Sequence, residues 1–95
     1  MKIRFAEKSD IETLSTYDKH IRITELESSI SLGRVIVAED NGTLLGWLRW
    51  NLFWDNIPFM NMLFILEQHR SCGYERKMVV YWEEHMKTKR YAPVA

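Results

Sequence analysis

One cysteine, Cys72, among 95 residues excludes any intrachain disulfide. Neither sign of charge is in excess, because 13 Lys and Arg stand against 13 Asp and Glu. That balance argues against a dedicated nucleic-acid binder, whose affinity comes from a basic surface. No apolar run reaches the roughly 18–20 residues that a membrane helix requires, so no span is predicted. The charged N-terminus, Met1 to Lys8, lacks the apolar stretch of a signal peptide. Together these absences lead to the expectation of a cytoplasmic chain. With no internal repeat, low-complexity stretch or Pro/Gly/Ser-rich linker, residues 1–95 read as a single domain. What is present is a globular composition, 46% hydrophobic and 13% aromatic. A chain this short buries only roughly 60–65% of the surface its unfolded form exposes, so marginal stability is expected and a partner chain would help.

Periodicity sets out the elements. Lys2 to Phe5 alternates like a short strand. Ser9-Asp10-Ile11-Glu12 has the form of a capping box, in which a Ser side chain and a Glu three residues on satisfy free helix amides. A helix from about Asp10 to His20 follows, with Ile11, Leu14 and Tyr17 or Asp18 at helical spacing. A second box, Thr24-Glu25-Leu26-Glu27, opens a short helix that carries Leu26 and Ile30 inward, and Gly33 closes it as a left-handed residue. The period then changes to two. Arg34 to Asp40 is rich in β-branched residues and ends at Asn41-Gly42, a strong hairpin signal because both turn residues tolerate positive φ. The returning strand runs from Thr43 to about Phe53, and Gly46 and the change of pattern near Asn51 allow a bulge.

After a turn at Trp54 to Pro58, the run from Phe59 to Leu66 is apolar on both faces. That pattern predicts a central strand with helices on both faces of the sheet. Gly73 to Lys89 reads as a long helix with Met78, Val79, Trp82 and Met86 at spacings of three and four. Lys87, Lys89 and Arg90 stand where a helix C-terminus favours cations. Tyr91 to Ala95 looks like the start of a further strand. The order β-α-α-β-β-β-α with a mostly antiparallel sheet is an α+β layer that reads as lacking its final elements.

This order, the Asn-Gly turn, the Leu-Gly-Trp strand and the stretch Gln68-His69-Arg70-Ser71-Cys72-Gly73-Tyr74-Glu75 resemble the front two-thirds of the GNAT superfamily of N-acetyltransferases. The family's acetyl-CoA signature is an Arg or Gln, two residues, a Gly, one residue, then Gly or Ala, between the fourth strand and the third helix. The resemblance implies a pyrophosphate site. There Arg70 supplies charge, Gly73 allows close backbone approach, and the amides of Ser71, Cys72, Gly73, Tyr74 and Glu75 donate hydrogen bonds at the positive end of a helix dipole. It also implies direct attack of an amine on the thioester, with the oxyanion held by a fourth-strand amide around Leu63 to Ile65. An amine with an unperturbed pKa near about 10 must first lose a proton. Many members carry an acid near the position of Asn61, which as an asparagine is no base. Glu67 is the nearest remaining carboxylate and Asp55 a distant second.

Two departures stand out. Glu75 occupies the final Gly or Ala position and brings negative charge to where a pyrophosphate approaches, unless it turns away or pairs with Arg76; its ordinary role is to favour the first turn of a helix. Beyond the start of a fifth strand, the family's fourth helix, its last two strands and the fourth-helix Tyr that often protonates the leaving thiolate are expected to have no counterpart among these residues.

His20, His69 and His85 form no metal-ligand spacing with Cys72 or with one another. Cys72, though near a helix N-terminus, has no partner base in the sequence pattern. The aromatics Trp47, Trp50, Phe53, Trp54 and Phe59 could stack on bases, but a neutral chain without a basic signature assigns them to core and interface packing, with some of them exposed beside the fourth strand. An apolar, unpaired fourth-strand edge predicts a homodimer. Two functional readings lead, an acetyltransferase that uses acetyl-CoA on a small-molecule or peptide amine and a non-catalytic module of the same fold that dimerises or binds CoA, with an unrelated small α+β interaction domain as a third.

Overall fold

The computed structural model of the chain describes residues 1–54 and 56–89. Asp55 and the further strand expected at Tyr91 to Ala95 lie outside the described residues. Four strands, β1 (Lys2–Phe5), β2 (Val35–Asp40), β3 (Thr43–Phe53) and β4 (Ile57–Ile65), form one antiparallel sheet in the order β1-β2-β3-β4. Two short helices, α1 (Ile11–Tyr17) and α2 (Ile23–Ser31), precede β2, and a long one, α3 (Tyr74–Thr88), follows β4.

The helices cover both faces of the sheet, as the sequence pattern requires. On one face Leu14, Leu26 and Ile30 of α1 and α2 pack on Val35, Val37 and Trp47. On the other Met78, Trp82 and Met86 of α3 pack on Ile36, Leu48, Trp50 and Ile65. All of these residues are 7% exposed or less, so each face of the sheet supports its own dry layer.

Among the described residues β4 is the last strand of the sheet, with the segment expected to continue it outside them, and most of its side chains are only half-buried. Its two-faced apolar pattern arises because Met62 and Phe64 join the α1–α2 layer while Met60, Leu63 and Ile65 join the α3 layer. Cover above and below needs no lateral neighbour. Met60 and Leu63, three residues apart, share a face because the register against β3 shifts between Arg49 and Trp50, leaving Asn61 as the extra residue of a bulge. A second shift, between Ala38 and Glu39, makes Leu45 the extra residue on β3, beside Gly46.

Both predicted capping boxes are corrected. Ser9 lies inside a 3-10 turn, Lys8–Asp10, and it is the Asp10 carboxylate that accepts the Glu7 amide at 2.7 Å while pairing with Arg4 at 2.8 Å. A charged acceptor outcompetes the serine hydroxyl. The second helix begins at Ile23, before Thr24, with the extended Arg22 as its cap. Its C-terminus obeys the sequence: Gly33 has φ +71°, its amide donates to the Ile30 carbonyl, and the Arg34 amide donates to that of Ser29, a Schellman closure. Asn41 and Gly42 have φ of +50° and +80°, the turn their sequence predicts.

The first helix stops at Tyr17, short of the expected His20, because Asp18 leaves helical geometry and turns its carboxylate inward. Asp18 is 2% exposed and accepts bonds from Arg49 Nε at 2.7 Å, Trp47 Nε1 at 3.1 Å and the His20 amide at 3.2 Å. Tyr17 is left 49% exposed. Burial alone raises the Asp18 carboxyl, but the bonds from Arg49, His20 and Trp47 outweigh it and hold the group below the ordinary 3.8. Asp10 is lowered as well, chiefly by Arg4. A carboxyl that binds protons less readily when folded stabilises the protein above its unfolded pKa, and that contribution is lost as pH falls through the folded value. The thermal midpoint therefore falls as pH drops below about 4. Asp18→Ala, which leaves Arg49 and Trp47 without their acceptor, costs about 3–5 kcal/mol in denaturant unfolding and flattens that acid dependence. A variant as stable as the parent would contradict this.

Candidate functional site

The connection from β4 to α3 is built by backbone conformations that few residues accept. The amide of Leu66 donates to the Leu45 carbonyl at 2.8 Å, extending the β3–β4 ladder one residue past Ile65. A 3-10 turn, Glu67–His69, redirects the chain, and Ser71 (φ +68°) and Gly73 (φ +77°) are both left-handed. Gly73 is needed for this conformation; a Cβ there would meet nothing within 4 Å, so the space before it is open. Immediately afterwards α3 begins, with Gly73 as its N-cap and no side chain capping it. The first-turn amides of a 15-residue helix thus lack an intrahelical partner and carry the positive end of its dipole. They open onto a cleft of about 280 Å³ lined by Ile65, His69, Arg70, Ser71, Gly73, Tyr74, Glu75 and Arg76.

Arg70 is fixed at one wall. Its Nε donates to the Ile65 carbonyl at 2.9 Å and its guanidinium lies 5.0 Å from the centre of the Phe64 ring. Since Leu66 turns its amide to β3, the antiparallel alternation turns Phe64 the same way and directs the backbone groups of Leu63 and Ile65 to the outer edge of β4. The Arg70 bond to Ile65 reports that orientation. The edge beside the cleft therefore presents backbone donors and acceptors, the Leu63 amide among them.

Six of the residues singled out from sequence come together here: Ile65, Arg70, Ser71, Gly73, Tyr74 and Glu75 line the cleft. Leu63 stands on the adjoining edge, its half-buried side chain in the α3 layer. Cys72 is exposed, with Sγ 3.7 Å from the Arg70 carbonyl, and is not among the residues that line the cleft. Glu67 is exposed at the start of the 3-10 turn, outside the residues that line the cleft. Asn61, at the bulge, accepts a bond from Asn51 Nδ2 at 3.0 Å. Glu75 is exposed, and among the described residues it forms no ion pair with Arg76. Sequence reasoning passed over His69 and Arg76, which line the cleft, and Phe64, which lies under Arg70. An aromatic six residues before an arginine carries no signal until the loop is folded.

The sequence matches the model of the acetyltransferase (GNAT) family over residues 3–94. No curated protein sequence matches. Among solved structures, an aminoglycoside N-acetyltransferase in complex with CoA superposes with a TM-score of 0.84 at 16% identity, over 99% of this chain and 76% of that one. A Mycobacterium tuberculosis protein solved with CoA and NLQ gives 0.81 at 15% identity over 96% of this chain. N-acetylglutamate synthase from Neisseria gonorrhoeae, with coenzyme A and N-acetyl-glutamate, gives 0.78 at 19% over 96% of this chain. This chain spans 60% of the mycobacterial protein and 23% of the synthase. The β-α-α-β-β-β-α order, the loop that delivers Arg70 and Gly73 to the start of α3, and a family match over nearly every residue agree, and the chain belongs to the GNAT acetyltransferase family.

Proposed function

We propose that this chain is a cytoplasmic N-acetyltransferase that transfers the acetyl group of acetyl-CoA to an amine. The observation that carries the reading is the uncapped N-terminus of α3 opening into a cleft beside Arg70. A pyrophosphate fits that set of donors. The amides of Tyr74, Glu75 and Arg76 offer fixed N–H groups, the helix dipole favours an anion, and both Nη groups of Arg70 are turned to no other protein acceptor among the described residues. Family membership and neighbours solved with CoA support acetyl-CoA as the ligand. Acceptors named for such neighbours, an aminoglycoside and a ribosomal-protein alanine, support an amine as the second substrate.

Acetyl-CoA supplies a thioester carbonyl open to attack. This chain's part is to hold it and to stabilise the charge that develops on its oxygen. The outward Leu63 and Ile65 backbone is placed for the latter, a fixed amide being worth far more in a shaped cleft than in water. Glu67, two residues beyond β4, is our candidate for taking the proton of the incoming amine; Asn61 has no basic group to offer.

Glu75 opposes the anion from within the cleft wall, so acetyl-CoA affinity is set by Arg70 and the amides against that carboxylate. Calorimetric titration should give micromolar acetyl-CoA binding. Arg70→Ala should weaken it by about tenfold or more, and Glu75→Gly should tighten it about three- to tenfold by removing the like charge. Binding without turnover on any amine would favour the non-catalytic module; no heat at millimolar ligand would defeat both.

The homodimer expected from sequence is retained as part of this reading. Phe53, Trp54 and Phe59, 48%, 79% and 44% exposed, gather at the β3–β4 hairpin, the end of β4 away from the cleft. An exposed aromatic cluster of this kind is a contact surface for a second copy. Light scattering after size exclusion should report twice the 11.4 kDa chain mass, and Trp54→Ser should shift it to the monomer. A monomeric parent at tens of micromolar would overturn the dimer and leave the acetyl-CoA reading intact.

A further inference from the structure

Arg70 is exposed as a residue, yet its guanidinium is held on two sides. Its Nε–H is consumed by the Ile65 carbonyl at 2.9 Å and its central carbon lies over the Phe64 ring, 5.0 Å from the ring centre. Phe64 is itself held: its ring stacks on Trp47 with centroids 5.0 Å apart and planes 27° apart, and Trp47 is fixed by the bond from Nε1 to Asp18 at 3.1 Å. Trp47 and Asp18 are each 2% exposed, so the stack ends in the rigid part of the α1–α2 layer. A row of contacts thus runs from the end of α1, across β3 and β4, to the exposed arginine of the cleft.

We propose that Phe64 is a positioning residue for Arg70: by stacking under the guanidinium it holds the two Nη groups toward the cleft and reduces the entropy lost when an anion binds them. Of the five N–H donors of an arginine, one is spent on Ile65 and four remain, in a fixed fork that suits two phosphate oxygens at once. A free arginine on a loop would lose its side-chain freedom only on binding and would bind more weakly for it. The face of the ring contributes electrostatically as well, since cation and quadrupole attract. This inference rests on the acetyl-CoA reading for the identity of the anion, but the stack itself belongs to the free protein.

The test is a double-mutant cycle on acetyl-CoA binding, run with the 15N resonance of the Arg70 Nε–H group in the ligand-free protein. Phe64→Leu keeps an apolar side chain but removes the ring face. It should raise the acetyl-CoA Kd about three- to tenfold. Phe64→Tyr, which keeps the face, should stay within about twofold of the parent. In the Arg70→Ala background Phe64→Leu should change nothing further, which a merely structural role would not produce. The Arg70 Nε–H proton, near the Phe64 ring, should move on Phe64→Leu and stay in place on Phe64→Tyr. An equal penalty from Phe64→Leu with and without Arg70, or an unchanged Kd in the single variant, overturns the proposal. If the parent protein binds no acetyl-CoA, the cofactor reading falls, and the resonance decides the positioning separately: a shift on Phe64→Leu supports the stack, and none overturns it.

Discussion

The close contact of β3 and β4 at Gly46 is the constraint on which the site depends. A Cβ at Gly46 would lie 2.5 Å from the Phe64 carbonyl oxygen and 2.6 Å from Ile65 Cδ1, so only glycine lets the end of β4 settle against β3. That seating has consequences on both faces. Ile65 drops into the layer under α3, while Phe64 reaches the Trp47 ring in the layer under α1 and α2. It also fixes the phase of the ladder, and the phase decides that the Ile65 carbonyl points off the edge, where Arg70 takes it. From there two left-handed residues bring the chain into α3 with its first amides free. The loop between β4 and α3 is the outcome of one strand being packed tightly enough to orient the turn and the helix after it.

The parts legible in the sequence are those governed by local periodicity and turn chemistry. The Asn41-Gly42 hairpin, the Gly33 closure, the bounds of β3 and the buried stripe Met78, Trp82, Met86 come from spacing and from the few residues that accept positive φ. The parts that were not legible depend on contacts distant in sequence. Asp10 leaves Ser9 without a capping role because Arg4, on another element, recruits its carboxylate. Asp18 ends α1 early because Arg49 and Trp47 receive it 31 and 29 residues away. The apolar run of β4 indicates cover on two faces and is silent about the lateral neighbour, which is why a strand expected at the centre stands last in the described sheet. Arg70 and Gly73 could be picked out by resemblance to the family signature, while the ring beneath Arg70 depends on a bulge at Asn61 and a register that no local pattern announces.

The chemistry divides along the same line. The cleft gathers groups the fold has already fixed: helix amides, a guanidinium clipped to a carbonyl, and a strand edge with its backbone turned outward. Such donors have little reorganisation left to undergo when an anion arrives. Glu75 is the exception, a carboxylate in a wall otherwise suited to negative charge, and among the described residues no cation pairs with it. In the proposed reading its like charge makes this loop weaker for a pyrophosphate than a small residue at that position would. Neither Asn61 nor the exposed Glu67 is among the residues that line the cleft, so in the proposed reading acetyl-CoA binding and acetyl transfer are separable.

The central claim, that the start of α3 holds the pyrophosphate, is tested most directly by following the backbone amides of 15N-labelled protein as acetyl-CoA is added. The account predicts that the largest shifts fall on Gly73 to Arg76, with smaller ones at Leu63 and Ile65 along the strand edge. Shifts confined to the β3–β4 hairpin, or a spectrum unchanged at millimolar acetyl-CoA, would contradict it.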